Sequence, residues 1–110
     1  MDMTAFCLVQ TTIDDENRAE EIAKTLVEKK LAACVQIASV ASHYVWKGAP
    51  ARETEFLLSA KARREDFAVL VAAIKSMHSY ETPEIIALPI LAGDAAYLDW
   101  ALQATERGEG

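Results

Sequence analysis

Apolar positions change their period several times along the chain, and each change marks an element. Residues 4–12, Thr-Ala-Phe-Cys-Leu-Val-Gln-Thr-Thr, form a β-branched and apolar run. It predicts a strand buried on both faces and therefore central in its sheet. Ile13-Asp14-Asp15-Glu16-Asn17 follows, with acidic residues where the positive end of a helix dipole favours them. Ala19, Ile22, Ala23, Leu26 and Val27 then recur at i, i+3, i+4, i+7 and i+8, the stripe of one helix face. With Lys24, Lys29 and Lys30 toward the C-terminal half, the spacing predicts a helix over 14–30.

Leu31-Ala32-Ala33-Cys34 leads into a long strand reaching Lys47. Its apolar phase shifts: Val35 and Ile37 are odd, whereas Val40, Tyr44 and Trp46 are even. In a structure of period 2 that shift predicts a bulge or bend near Ala38–Val40, beyond which Ser42, Tyr44 and Trp46 share a face. Lys47-Gly48-Ala49-Pro50-Ala51 has turn chemistry. Glu53 to Ala60, centred on Phe56-Leu57-Leu58, is the returning strand. Both arms of this hairpin exceed the usual strand of about five or six residues.

Arg63 to Met77 is the second predicted helix, with Phe67, Leu70, Val71 and Ile74 as its buried stripe and Asp66 in its first turn. Pro83 stops any continuation. Ile85 to Ile90 is a fourth strand, and Pro89, which cannot donate to a ladder, makes it an edge strand or ends it. Gly93-Asp94 is a turn and cap before a short helix over 95–102, which Trp100 is expected to anchor to the core. Residues 106–110, Glu-Arg-Gly-Glu-Gly, are expected to fray. The order β-α-β-β-α-β plus a terminal helix predicts an α+β, ferredoxin-like domain. Its expected form is one antiparallel sheet with two helices on one face.

The chain has 110 residues, enough for one domain, 1–110, with a single core. A formal net charge of −6 without a basic cluster argues against nucleic acid or an anionic membrane as partner. No apolar run is long enough to span a bilayer, and no targeting segment is expected in the N-terminal residues. Cys7 and Cys34 read as buried free thiols of a reducing cytoplasm, with a disulfide or metal pair as the other reading. G-x-S-x-G, Walker, H-E-x-x-H and C-x-x-C motifs are absent. A Cys34–His78 nucleophile pair is conceivable, but Cys34 lies in an apolar run where a thiol is inert. A non-enzyme is expected.

Chemistry concentrates in His78-Ser79-Tyr80-Glu81-Thr82-Pro83-Glu84, between the second helix and the last strand. His78, Glu81 and Glu84 are candidate metal ligands, since imidazole suits copper and zinc and carboxylates can complete a shell. His78 could instead hydrogen-bond across the turn or across a subunit boundary. Tyr80 carries a polar tip that wants a partner when buried. Lys61 could neutralise Glu84 or an anionic ligand, or be a plain surface lysine. Tyr44 and Trp46, near the hairpin tip, would be poorly covered in one chain and are expected to pack on a neighbour. His43 reads as an exposed or interface residue.

Several strings occur in a telling order: Leu31-Ala32-Ala33-Cys34-Val35, Tyr44-x-Trp46-x-Gly48, and Glu55 followed by Leu57-x-Ser59-x-Lys61. His78-x-Tyr80-x-x-Pro83-Glu84-Ile85, Leu88-Pro89-Ile90 and Tyr97-Leu98-x-Trp100 complete the series. Together they resemble the CutA family of divalent-ion tolerance proteins, over residues 6–102. The resemblance implies a cytoplasmic homotrimer of ferredoxin-like subunits, assembled like PII signalling proteins, with a role in tolerance to divalent metals, copper especially. It also implies that Tyr80 lines a cleft between subunits. Many members have Pro after the His of this turn, where this chain has Ser79. Members with an assigned copper site carry a Cys late in the first strand and a second His before the shared one. The matching positions here are Gln10 and Met77, so of that ligand set only His78 is kept. A divalent metal ion is thus a candidate ligand, bound weakly, with no cofactor needed for folding. The alternative is a PII-like trimeric scaffold or signalling module whose inter-subunit clefts, with Tyr44, Trp46, Lys61, Tyr80 and Glu84, take a small molecule or a protein.

Overall fold

The structure, a computed structural model, describes residues 5–108. Thr4, predicted to open the first strand, and Glu109 and Gly110 of the tail lie outside them. The elements follow the predicted order: β1 (Phe6–Ile13), α1 (Glu16–Glu28), β2 (Cys34–Trp46) and β3 (Ala49–Arg63). A single 3-10 turn (Arg64–Asp66), α2 (Phe67–Met77), β4 (Ile85–Pro89) and α3 (Ala95–Ala104) complete the chain. The strands form one sheet in the order β2-β3-β1-β4, and every pair is antiparallel. β1 is an inner strand, as its two-sided apolar pattern requires, and β4 is an edge strand that stops at Pro89.

Side-chain alternation sorts the sheet into two faces. Cys7, Val9 and Ile13 of β1, with Leu58, Ala60 and Ala62 of β3, pack on Ile22 and Leu26 of α1 and Leu70 and Ile74 of α2. Phe6 points the other way and makes a separate small core with Leu98 and Ala101 of α3. α1 and α2 therefore share a face as expected, while α3 covers one end of the opposite face. Trp100 is not the anchor of α3: it is exposed, and Leu98 and Ala101 hold the helix. The reason is phase, because Trp100 lies off the stripe that Leu98 and Ala101 define. Asp15 caps α1, its carboxylate accepting from the backbone N–H groups of Asn17 and Arg18. Asp94 caps α3 by accepting from the Tyr97 N–H.

The β2-β3 hairpin departs from expectation in two respects. Its register is unbroken from Cys34↔Lys61 to Trp46↔Ala49, so no bulge lies near Ala38–Val40. The apolar phase changes there because the helix layer ends. Val35 and Ile37 pack against the main core, whereas Ser39, Ala41, His43 and Val45 on that same face are exposed. The turn is also shorter than its composition suggests. Only Lys47 and Gly48 separate the strands, with φ of 49° and 78°, the positive pair of a type I′ hairpin. Pro50 consequently lies inside β3, opposite Val45. The pair closing a two-residue turn is hydrogen-bonded, so the next pair is not, and a residue without N–H fits there.

β1 reaches β3 only from Phe56 to Arg63. Residues 40–46 and 49–55 therefore form an arm paired with no third strand among the described residues, and it stretches the molecule to 45 × 28 × 21 Å. No helix among the described residues is long and apolar enough to cross a membrane.

Candidate functional site

The turn after α2 is built on His78. Its Nε2 lies 2.8 Å from the Thr12 carbonyl oxygen, and the Tyr80 backbone N–H donates to its Nδ1 at 3.0 Å. A carbonyl can only accept and a backbone N–H can only donate, so this pattern assigns the proton to Nε2 of a neutral ring. Both ring nitrogens are thus engaged in fastening the turn to the end of β1. The Tyr80 ring packs on His78 with centroids 4.8 Å apart. Its hydroxyl donates to Glu55 Oε2 at 2.8 Å. Burial first, then the bond to Glu55 and its charge, hold the Tyr80 phenol well above the usual tyrosine range.

Glu55 was part of a motif in the sequence but not a predicted site residue. It is 7% exposed and sits opposite Val40, one residue beyond the reach of β1. A carboxylate on the same strand face as Leu57 and Ser59 was the available signal, since a buried acid needs a partner. The partner itself, a tyrosine 25 residues away, is fixed only by the fold.

The remaining predicted residues do not gather around His78. Glu81 and Glu84 are exposed. Among the described residues no group of three or more His, Cys, Asp or Glu side chains is placed to hold a metal. Gln10, on the open face of the sheet, donates to Ser59 Oγ, and Met77 packs against the main core. Lys61 does not meet Glu84: its ammonium donates to Gln36 Oε1 at 3.1 Å and lies over the Tyr97 ring. The register explains this. Lys61 stands opposite Leu8 in one ladder, while Ile85, next to Glu84, stands opposite Thr11 in the other. Cys34 likewise starts β2 opposite Lys61, away from His78 at Thr12, so the two form no nucleophile–base pair.

Both cysteines are free, Cys7 buried and Cys34 only half-buried, the latter because β2 is an edge strand. Burial pushes the Cys7 thiol up. A cavity of about 560 Å³ beside β4 is lined by Cys7, Arg64, Phe67, Ala87, Leu88 and Pro89 and contains none of the predicted site residues. Tyr44 is 37% exposed, Trp46 62% and Val45 74%. His43 is exposed.

These features define a class: a ferredoxin-like α+β protein with an over-long projecting hairpin and a polar turn whose His78 and Tyr80 are committed to hydrogen bonds within the chain. The family model described as "CutA1 divalent ion tolerance protein" matches residues 7–104, and the chain belongs to the CutA family. The divalent-cation tolerance protein CutA of Archaeoglobus fulgidus is 44% identical over 98 residues, 89% of this chain and 96% of that one. Its counterpart in Thermus thermophilus is 42% identical over 99 residues, covering 89% of this chain and 96% of that one. The structure of CutA from Synechococcus elongatus matches with a TM-score of 0.90 at 37% identity, over 96% of this chain and 95% of that one. A structure described as the periplasmic divalent cation tolerance protein CutA from A. fulgidus gives 0.89 at 42% identity, over 92% and 99%. The family is named for tolerance and not for a reaction.

Proposed function

We propose that this chain serves divalent-cation tolerance as a homotrimer, and that it engages copper weakly, in the region of His78, Glu81 and Glu84. The observation that carries the reading is the uncovered arm. Trp46 and Val45 stand in solvent on a hairpin whose outer half pairs with no third strand among the described residues. β4 leaves a sheet edge on the other side. Exposed edges and apolar tips are normally covered, and a closed ring in which each arm covers the next chain leaves no free end. Weak metal binding is supported by the two engaged nitrogens of His78. A metal there must displace the Tyr80 N–H or the Thr12 carbonyl, and neither Gln10 nor Met77 supplies a ligand in its place. The same observation favours the second reading, a PII-like scaffold whose clefts between chains take a small molecule or a protein near Tyr44, Trp46, Tyr80, Lys61 and Glu84. We place the protein in the cytoplasm, a reading supported by its two free thiols.

Sedimentation at low micromolar concentration is expected to give three times the chain mass of 12.1 kDa; the mass of one chain overturns the trimer. Calorimetric titration of untagged protein with copper is expected to give a dissociation constant of about 1 μM or weaker, on the order of −8 kcal/mol. His78→Ala is expected to remove most of that signal. Sub-nanomolar binding untouched by His78→Ala would place the metal elsewhere, and no binding at all would leave the scaffold reading.

A further inference from the structure

The hydrogen bonds of the His78 turn form a continuous path from the sheet to the arm. The Thr12 carbonyl near the end of β1 holds His78, His78 holds the Tyr80 backbone, and the Tyr80 hydroxyl holds Glu55. Glu55 is the first residue of β3 past the β1 ladder, where the arm begins. Among the described residues, Tyr80–Glu55 is the one side-chain hydrogen bond that ties residues 40–55 to the rest of the chain. Beyond this point a two-stranded ribbon would otherwise be free to pivot and twist about its root. The bond is charge-assisted and shielded, the combination that gives a hydrogen bond its directional strength.

We propose that the Tyr80–Glu55 hydrogen bond is a latch that fixes the direction of the β2-β3 arm, so that Tyr80 positions the arm for assembly. The assembly clause rests on the trimer reading above; the latch itself is a property of one chain. Tyr80 would then matter to the assembly through an acid on its own chain, without needing to touch a ligand.

The test is amide hydrogen exchange with sedimentation on wild type, Tyr80→Phe and Glu55→Gln. Tyr80→Phe keeps the ring on His78 and removes only the donor. It is expected to speed exchange across residues 40–55 by roughly tenfold or more, to leave β1 and α1 unchanged, and to weaken association. Glu55→Gln keeps an acceptor oxygen without the charge and is expected to hold the arm within about threefold of wild type. Unchanged arm exchange in Tyr80→Phe overturns the latch. So does an equal rise across β1 and α1, which would mean general loosening, or a rise in Glu55→Gln that Tyr80→Phe does not share, which would mean charge and not the bond. A wild type that sediments as one chain overturns the trimer reading, and the exchange comparison still decides the latch.

Discussion

Asp66 shows how one buried charge can organise residues far apart in sequence. It precedes α2 but makes no capping hydrogen bond. Its carboxylate, 8% exposed, instead receives both Nη groups of Arg107 at 2.9 Å. Arg107 Nη1 also donates to the Lys30 carbonyl at the end of α1. A tail composition that predicts fraying is therefore pinned at Arg107, and one guanidinium ties the tail to the ends of two helices. Planar fork geometry suits this role, and an ammonium cannot reproduce it. Arg107→Met is expected to destabilise the protein by roughly 2–3 kcal/mol, because it leaves a buried carboxylate without its partner. Arg107→Lys is expected to recover less than half of that loss. Urea denaturation measures both, and a loss under about 0.5 kcal/mol for Arg107→Met would rule out the clamp.

At the scale of elements, the hairpin turn holds a local conflict. Lys47 adopts φ of 49°, a left-handed conformation that is unfavourable by about 1–2 kcal/mol for most L-residues and well tolerated by Asn and Gly. Its ammonium lies 5.8 Å from the centroid of the exposed Trp46 ring, a small compensation at such a site. Lys47→Asn is expected to stabilise the hairpin by roughly 0.5–1 kcal/mol, seen as a higher Tm. A lower Tm would show that the Lys47–Trp46 contact outweighs the backbone term. The helix starts hold no such conflict: the acidic residues before α1 and the Asp94 cap of α3 were legible in the sequence, and Asp15 and Asp94 accept the capping bonds, although Val27 of the predicted α1 stripe is exposed.

For the whole molecule, the distribution of cover is the telling property. The helix layer protects one face of the sheet up to Ile37 and no further. Ile86 and Leu88 stand half-exposed on the opposite face, with Tyr97 and Trp100 of α3 exposed as well. Within the proposed trimer, Trp46 is the largest apolar side chain on the arm, and burying it is worth roughly 1.5–3 kcal/mol per contact. Trp46→Ala is therefore expected to raise the dissociation constant of the assembly by at least about tenfold, while thermal unfolding of the subunit core changes little. Sedimentation across a dilution series reads the first and calorimetry the second. A Trp46→Ala assembly that stays intact under mild denaturant would remove Trp46 from the interface.

The amino-acid sequence by itself determined the element order, the central place of β1, the edge place of β4, the acidic start of α1 and the Asp94 cap of α3, because these follow from local periodicity, proline geometry and acidic residues at helix starts. Its motif strings determined the family. Tertiary structure alone decided the partners of the polar groups. Hydrogen bonds join Glu55 to Tyr80, His78 to Thr12 and Arg107 to Asp66 across 25, 66 and 41 residues of chain. No spacing in a single sequence encodes such pairs, since strand register and the path of each turn set them. Tertiary structure also decided the meaning of the phase shift in β2, which marks where helix cover ends along an unbroken ladder. Hydrophobic pattern reports which face is covered, and what covers it depends on how the layers stack.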